Sequence, residues 1–406
     1  MIACAVATFN SGALFFGYPG LMTPYWRELL QVDTGATGLI MTFACLGVGC
    51  MTLVSGRVHP KIGTRRSFLI GSVILIICMA LANFINSLPV VYVWAFLNGA
   101  GTGFIYGPSL TTAQHWFPQR RGLATGVVNL CFGTAGAIMS PVYNLLFGSL
   151  GYEKMNYVAL AMLVVLNGLS LLGAELPDRA RLTDEQRQAR AAQMEALQKT
   201  GSAKGPMLAA RNYTVGEALR TRSFWLVWIT WVFVGAAGIS MVSQGGNFAT
   251  SIGLSSVVVI TSFNLTNGIS RIIAGTLSDF IGRNATGCFA FLLGATGYAL
   301  LPFCGSPVLV AVLSACVGFS FGTLFAISSP LVSDLFGLKN YSAIFSFVFS
   351  GYGFVGAIVG PALAGQLLKR TGENYAVVFP ILAAFCVVGA VCILLARKRR
   401  TENAER

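Results

Sequence analysis

The chain has 406 residues, of which 55% are hydrophobic and only 10% are charged, and its mean hydropathy is +0.71. A soluble domain of this length could not cover so much apolar surface, and apolar runs of about twenty residues recur along the chain. The formal net charge of +13 would suit a nucleic-acid partner, but the basic residues cluster in alternate loops. That distribution is the positive-inside pattern of a polytopic membrane protein.

The apolar runs predict twelve spanning helices and therefore an all-α membrane protein. The predicted spans are 2–29, 36–56, 66–85, 89–114, 122–148, 155–176, 223–247, 254–279, 285–303, 307–333, 341–368 and 375–396. They divide the chain into an N-terminal six-helix bundle (1–177), a linker (178–222), a C-terminal six-helix bundle (223–396) and a basic tail (397–406). The first apolar run begins at Ile2 without the basic flank of a signal peptide.

Lysine and arginine predict the topology of the spans. One side receives only Arg27, Lys154, Lys369 and Arg370, whereas the other receives Arg57, Lys61, Arg65, Arg66, Arg120, Arg121, the linker cluster, Arg283, Lys339 and the tail Arg397–Arg400. Both termini and the linker are therefore expected in the cytoplasm, with the chain in the cell membrane. Within the linker, capping boxes at Thr183/Gln186 and Thr214/Glu217 predict two helix starts, the first opening a charged helix at 183–198. A solvated linker is favoured over a regulatory site.

One arginine lies deep inside a predicted span. Asp279 and Arg283 mark the end of the eighth span, and Arg271 comes eight residues before Asp279. At about 1.5 Å per residue it lies roughly 12 Å deeper, near the middle of a hydrocarbon core of about 30 Å. A guanidinium at that depth is costly unless it faces a polar cavity or a partner, so we interpret Arg271 as functional. The alternative is a structural arginine that caps the carbonyls of broken helices.

Ten cysteines are scattered through apolar segments, without a CxxC motif or neighbouring histidines, so no metal site, disulfide framework or cofactor is expected. No intramembrane pair of carboxylates and no nucleophile with a base is visible, which argues against a membrane enzyme. Asp and Glu are absent from the middle of every predicted span, so a dedicated proton relay has no residues to use.

The two halves contain an internal repeat. Gly56, Pro60 and Gly63 after the second helix correspond to Gly275, Asp279 and Gly282 after the eighth. A Gly-Ala-Ile-x-x-Pro motif at 136–141 corresponds to the same motif at 356–361, and both offsets are about 220 residues. Repeats that share one orientation predict a substrate site between the halves near the middle of the membrane.

At these motifs the chain resembles the major facilitator superfamily, and within it the oxalate/formate antiporter branch, which is related to the monocarboxylate transporters. The general marks are the loop motifs at 56–66 and 275–283. The marks of the branch are GTGFIYG at 101–107, WFPQRRGLATG at 116–126 and GEALRTRSFW at 216–225. Gly99, Gly103 and Gly107 also give the fourth helix a flat face for close packing.

The resemblance implies a loop latch that closes the halves in one state of alternating access. Asp279 and Arg283 are its expected charges, and Arg120 and Arg121, past the cytoplasmic end of the fourth helix, are expected to anchor the topology and to pair across the interface. Pro60 replaces the acid that the superfamily usually has in the first loop, so the N-terminal half lacks the acid that a symmetric latch requires. The loop-motif residues are Gly56, Gly63, Arg65, Gly275, Asp279, Gly282 and Arg283.

The same resemblance implies a substrate site. Arg271 occupies the place of the basic residue that binds the substrate carboxylate, and arginine suits that task because its planar fork grips a carboxylate through two parallel bonds. Tyr106 matches a tyrosine that lines the cavity from the other half. Phe321 and Phe325 match the aromatic residues of the tenth helix, although simple packing is the alternative reading of such a pair.

Two positions differ from the relatives in charge. Tyr352 stands where the oxalate carrier has a second basic residue, and Asn267 stands where proton-coupled monocarboxylate transporters have an acid. The sequence therefore predicts a monomeric secondary transporter that exchanges small monocarboxylate anions, binds no nucleic acid and performs no chemistry on its substrate. The alternatives are a proton-linked symporter and a transport-inactive sensor on the same fold.

Overall fold

The computed structural model describes residues 1–32, 34–177, 183–186, 188, 192 and 211–397. Helix α1 comprises Ile2–Gly12, a π-helical turn at Ala13–Gly17 and Tyr18–Leu30. The rest of the first half is α2 (Thr34–Ile62), α3 (Thr64–Ala82), α4 (Leu88–Trp116), α5 (Arg121–Leu150) and α6 (Tyr152–Gly173).

After a short helix at Val215–Leu219, the second half contains α7 (Arg222–Ser251), α8 (Ser256–Ile281), α9 (Arg283–Leu300, then a 3-10 turn at Leu301–Phe303) and α10 (Pro307–Phe336). Helix α11 comprises Tyr341–Ser350, a π-helical turn at Gly351–Gly356 and Ala357–Thr371, and α12 is Tyr375–Leu395. Between their ends, helices satisfy most backbone polar groups within the segment, which is the requirement that a bilayer imposes.

The predicted fold of two six-helix bundles is confirmed. In the described part of the chain, 11 helices are long and apolar enough to cross a membrane. Helix α8 has 26 residues but is not among them, and it carries Asn264, Asn267 and Arg271 near its middle. These polar residues lower the hydropathy of the helix that holds the candidate site.

The end of α2 was predicted at residue 56, but the helix continues to Ile62. Pro60 lies inside its last turn, where it removes only the bond that its nitrogen would donate to the Gly56 carbonyl. Gly56 itself packs closely against α11. A Cβ at this position would meet the Ser346 side chain and the Ser342 carbonyl oxygen. The contact lies at the start of the segment that the sequence reading assigned to a loop, in which Arg57, Pro60 and Lys61 are exposed.

Both predicted capping boxes form. Thr183 and Gln186 exchange bonds of 3.1 and 3.3 Å, and Thr214 and Glu217 do the same at 2.7 and 3.3 Å. Hydrogen bonds from the Thr214 backbone and side chain hold the pKa of the exposed Glu217 below its usual value. Most of the predicted helix 183–198, and residues 398–406 of the tail, lie outside the described residues. The proposed bounds of the linker therefore stay a prediction.

Two pairs of helices join the halves: α5 lies along α8, and α2 lies along α11. The repeat is visible in both pairs. Gly56 on α2 contacts α11, and Gly275 on α8 contacts α5, where a Cβ would come 2.6 Å from the Gly122 carbonyl oxygen. Gly63 and Gly282 each end the preceding helix with a positive φ, of 83° and 92°. Only glycine adopts that conformation without strain, so the two turns are built alike.

Candidate functional site

Arg271 lies near the middle of α8 and is buried, with 1% of its surface exposed. Its Nη1 donates to the Asn129 backbone carbonyl at 2.9 Å, and Nη2 donates to Asn267 Oδ1 at 3.4 Å. The Cζ atom lies 4.6 Å from the centroid of the Phe325 ring, and Nε has no hydrogen-bond partner. Among the described residues, no carboxylate forms an ion pair with this guanidinium. The charge is therefore compensated only by neutral groups.

Glycines on α5 make room for the arginine. A Cβ on Gly133 would lie 2.8 Å from Arg271 Cζ, and a Cβ on Gly126 would lie 2.6 Å from the Arg271 carbonyl oxygen. The guanidinium consequently rests against the bare backbone of α5, at the seam between the two halves. A larger residue at Gly133 would displace the guanidinium from this position.

Aromatic rings surround the arginine. Phe325 on α10 contacts Phe321 at 5.3 Å and Tyr352 at 5.6 Å between centroids. Tyr352 lies in the π-helical turn of α11, and Tyr106 on α4 donates to the side chain of Asn129, whose backbone carbonyl accepts from Arg271. The wall also includes three rings that sequence reasoning did not single out: Phe132, Trp231 and Phe349.

Asn129 on α5 is the other residue that sequence reasoning missed. It is fully buried and accepts a hydrogen bond from the Tyr106 hydroxyl at 2.6 Å through Oδ1. Its Nδ2 donates to the Phe325 carbonyl in the other half at 3.2 Å. A polar residue in the middle of an apolar span was the available signal. The partners were not predictable, because they are 23 and 196 residues away in sequence.

A cluster of four charges closes the end of the bundle where α8 ends and α9 begins, which we call the linker end. This latch cluster consists of Arg121, Asp279, Arg283 and Asp334. Arg121 Nη2 contacts Asp334 Oδ1 at 2.5 Å, and Arg283 contacts Asp279 at 2.5 Å and Asp334 at 3.3 Å. Asp334 thus ties α5 of one half to α9 and α10 of the other.

Asp279 adds a second tie across the halves. Its carboxylate accepts from the backbone N–H groups of Gly122 at 3.2 Å and Leu123 at 3.1 Å. Those groups lie in the first turn of α5, where the helix itself provides no acceptor and where a negative charge is favoured. Pro60, at the equivalent position of the first half, has no carboxylate for such a bond. Arg121, expected after the end of α4 and expected to pair across the interface, is the first residue of α5, is fully buried and pairs with Asp334 of the other half.

The remaining predicted residues lie either at the Arg271 site or at the linker end. Gly56, Gly63, Gly275 and Gly282 shape the helix contacts and turns of the linker end, and Arg65 is exposed on α3. In the described residues, no group of three or more His, Cys, Asp or Glu could hold a metal ion. The functional roles of the site and latch residues stay predictions, although the structure brings Arg271, Asn267, Tyr106, Phe325 and Tyr352 together.

Comparison with known proteins decides the family. The sequence model of the Major Facilitator Superfamily matches residues 4–350 and 246–406, which together cover nearly the whole chain. The chain belongs to the Major Facilitator Superfamily. It is accordingly a multi-pass membrane transporter and not an enzyme.

Relatives within the superfamily cover most of the chain at modest identity. The oxalate:formate antiporter of Oxalobacter formigenes is 27% identical over 85% of this chain and 79% of its own length. Monocarboxylate transporter 13 of Rattus norvegicus is 23% identical, with 95% and 86% covered. The probable sulfoacetate transporter of Cupriavidus necator is 25% identical, with 91% and 87% covered. These similarities agree with the branch that the motifs indicated.

Solved structures of the superfamily share the fold. The fucose:proton symporter of E. coli superimposes with a TM-score of 0.68 at 15% identity, covering 98% of each chain. The proton:xylose symporter XylE gives a TM-score of 0.71 at 14% identity, covering 96% of this chain and 94% of its own. At such identities the likeness concerns the arrangement of the helices alone.

Neutralising Asp334 is expected to open the linker end. Asp334→Asn leaves the buried Arg121 without a carboxylate, and an unpaired buried charge costs about 3–5 kcal/mol. Thr125 is the reporter position, because it is buried on the same face of α5 between Arg121 and Asn129. In a background without native cysteines, Thr125→Cys should be alkylated at least about tenfold faster when Asp334 is neutralised.

The matched control is Glu217→Gln. Glu217 pairs with Arg211 at 3.4 Å, but both side chains are exposed, and glutamine keeps the capping box. This variant should leave the alkylation rate unchanged. Equal alkylation rates in Thr125→Cys with and without the Asp334 substitution would show that the latch cluster does not hold the linker end closed.

Proposed function

We propose that this transporter exchanges small monocarboxylate anions across the cell membrane and binds them at Arg271. The observation that carries the proposal is a buried guanidinium without an acidic partner among the described residues. Such a charge is stable in a membrane protein only with compensation, and here the compensation is a carbonyl, an amide and an aromatic face. A bound carboxylate supplies the missing charge.

The chemistry of the wall favours small anions with one charge. Phe321 and Phe325 have no hydroxyl, so this side of the site suits an apolar tail. Asn267 provides an amide oxygen to Arg271 instead of a competing carboxylate. The names of three relatives refer to carboxylates: an oxalate:formate antiporter, a monocarboxylate transporter and a probable sulfoacetate transporter. These similarities support a carboxylate as the substrate class.

Exchange follows from the cost of an empty site. When the anion is bound, the pair is neutral and the halves at 1–177 and 223–396 can rock around it; without it, the bare charge makes switching slow. The acids in the described spans lie at helix ends, namely Glu28, Glu153, Asp279 and Asp334, which leaves no proton relay beside Arg271. In this proposal the latch cluster, the linker and both termini face the cytoplasm, and the protein acts as a monomer.

Uptake into proteoliposomes tests the proposal. We expect vesicles loaded with unlabelled acetate to take up labelled acetate much faster than empty vesicles do, because a loaded carrier returns without its bare charge. Benzoate, a monoanion with a bulky apolar tail, should compete with acetate for uptake. Acetamide, which is uncharged, should not compete. Accumulation in empty vesicles that follows an imposed pH gradient would support the proton-linked symporter instead. No saturable uptake of any monoanion would leave the inactive sensor.

A further inference from the structure

We propose that Asn129 couples occupancy of Arg271 to separation of the two halves. The inference rests on the proposed function, since it requires an anion at Arg271. Asn129 is fully buried on α5, and two of its hydrogen bonds cross from the first half to the second. Its carbonyl accepts from Arg271 at 2.9 Å, and its side-chain amide donates to the Phe325 carbonyl at 3.2 Å.

In the absence of substrate, Arg271 Nη1 donates the first of these bonds to the Asn129 backbone carbonyl. A backbone carbonyl is a neutral acceptor, whereas a carboxylate forms charge-assisted bonds that are roughly twice as strong. An arriving anion therefore replaces the Asn129 carbonyl as the partner of Arg271 Nη1, and it can also bond to the unpaired Nε. Substrate binding thus removes one of the two bonds that tie α5 to the other half at this level.

The second bond, from Asn129 Nδ2, ends on Phe325, which belongs to the aromatic wall around Arg271. Phe325 presents its ring to the guanidinium, with Cζ 4.6 Å from the centroid, and its own carbonyl to Asn129. The Tyr106 hydroxyl fixes the other end of the Asn129 side chain at 2.6 Å, so the amide is oriented with Nδ2 toward Phe325. An amide is required here because it accepts from the first half and donates to the second at the same time.

The consequence concerns the empty carrier. With no anion, both bonds remain and hold the halves in the present arrangement; with an anion, only the Nδ2 bond remains. Asn129 thus contributes to the slow return of the empty carrier and hence to strict exchange. One neutral hydrogen bond of about 1 kcal/mol corresponds to about a fivefold change in rate.

Asn129→Leu tests this role because it removes the side-chain bonds and keeps the backbone carbonyl. Because the Nδ2 bond is present with and without an anion, we expect net efflux of labelled acetate into anion-free medium and exchange each to rise about fivefold, while the KM for exchange changes little. Asn98→Leu is the matched control. Asn98 is equally buried, but its Nδ2 donates to the Leu14 carbonyl at 2.7 Å within the first half, so its replacement should leave both rates unchanged.

The outcomes are distinct. Unchanged rates of efflux and exchange in Asn129→Leu overturn the role of Asn129 as a tie between the halves, and so does a raised KM with unchanged rates, which would make Asn129 part of the binding site only. If leucine prevents folding, Asn129→Ala, paired with Asn98→Ala, gives the same comparison. Absence of saturable exchange in the unmodified protein would contradict the proposed function itself, independently of Asn129.

Discussion

Arg271→Gln is expected to abolish saturable anion uptake while the protein still folds and inserts. Removing one partner from a buried, hydrogen-bonded charge pair costs about 2–5 kcal/mol, so transport efficiency should fall about a hundredfold or more. The guanidinium has no acidic partner among the described residues, so its loss leaves no carboxylate unpaired. The apparent melting temperature in detergent should therefore stay equal or rise.

Arg271→Lys separates charge from geometry. The ammonium keeps the attraction for a carboxylate but cannot form two parallel bonds, so we expect uptake with a KM raised about tenfold. Arg27→Gln is the control, because it removes the same charge at an exposed position in the last turn of α1. Uptake is measured in proteoliposomes, and folding by size-exclusion chromatography. Normal uptake in the glutamine variant would rule out Arg271 as the anion site.

Oxalate is expected to compete for uptake about a thousandfold less well than lactate. The dianion brings two charges to a site where Arg271 neutralises one, and an unpaired buried charge costs several kcal/mol, or about three factors of ten. The second charge would face Phe325 and Tyr352, whose rings lie 5.6 Å apart. Competition against labelled lactate measures the ratio directly.

Tyr352→Lys should shift the preference toward oxalate, since it places a second positive charge beside the wall. Tyr352 is buried among Phe325, Phe349 and Trp231, at centroid distances of 5.5–5.8 Å. Tyr352→Met is the control, because it opens similar space without a charge and should leave oxalate excluded. If the unmodified protein takes up lactate and oxalate equally well, the single fixed charge of Arg271 does not set a preference for monoanions over dianions.

The sequence predicted the helices well because hydropathy over about twenty residues is a local property. It also predicted that Arg271 lies near the middle of its helix, since its distance to Asp279 along a helix follows from the rise per residue. It failed where the outcome depends on the other half of the molecule. The α2 end was placed at residue 56, where the loop motif begins, whereas the helix continues to Ile62 and its Gly56 packs against Ser346 on α11.

The candidate site shows the same division. Arg271, Tyr106 and Phe325 could be named from the chain, and they do lie together. Asn129 could not, because its importance comes from bonds to residues on three other helices. The π-helical turn that carries Tyr352 was equally unpredictable, since insertion of one extra residue in a helical turn leaves no periodic signal in so short a segment.

The unpaired guanidinium also decides how the carrier responds to a membrane voltage. In the proposed mechanism, the site with a monoanion bound carries no net charge, so its passage is unaffected by the electric field and exchange of one monoanion for another is electroneutral. The empty site keeps a full positive charge near the middle of the bilayer, and moving one charge through the whole field changes its energy by about 2.3 kcal/mol per 100 mV. In a cell with a negative interior, the potential therefore favours the cytoplasm-facing state of the empty carrier over its outward-facing state.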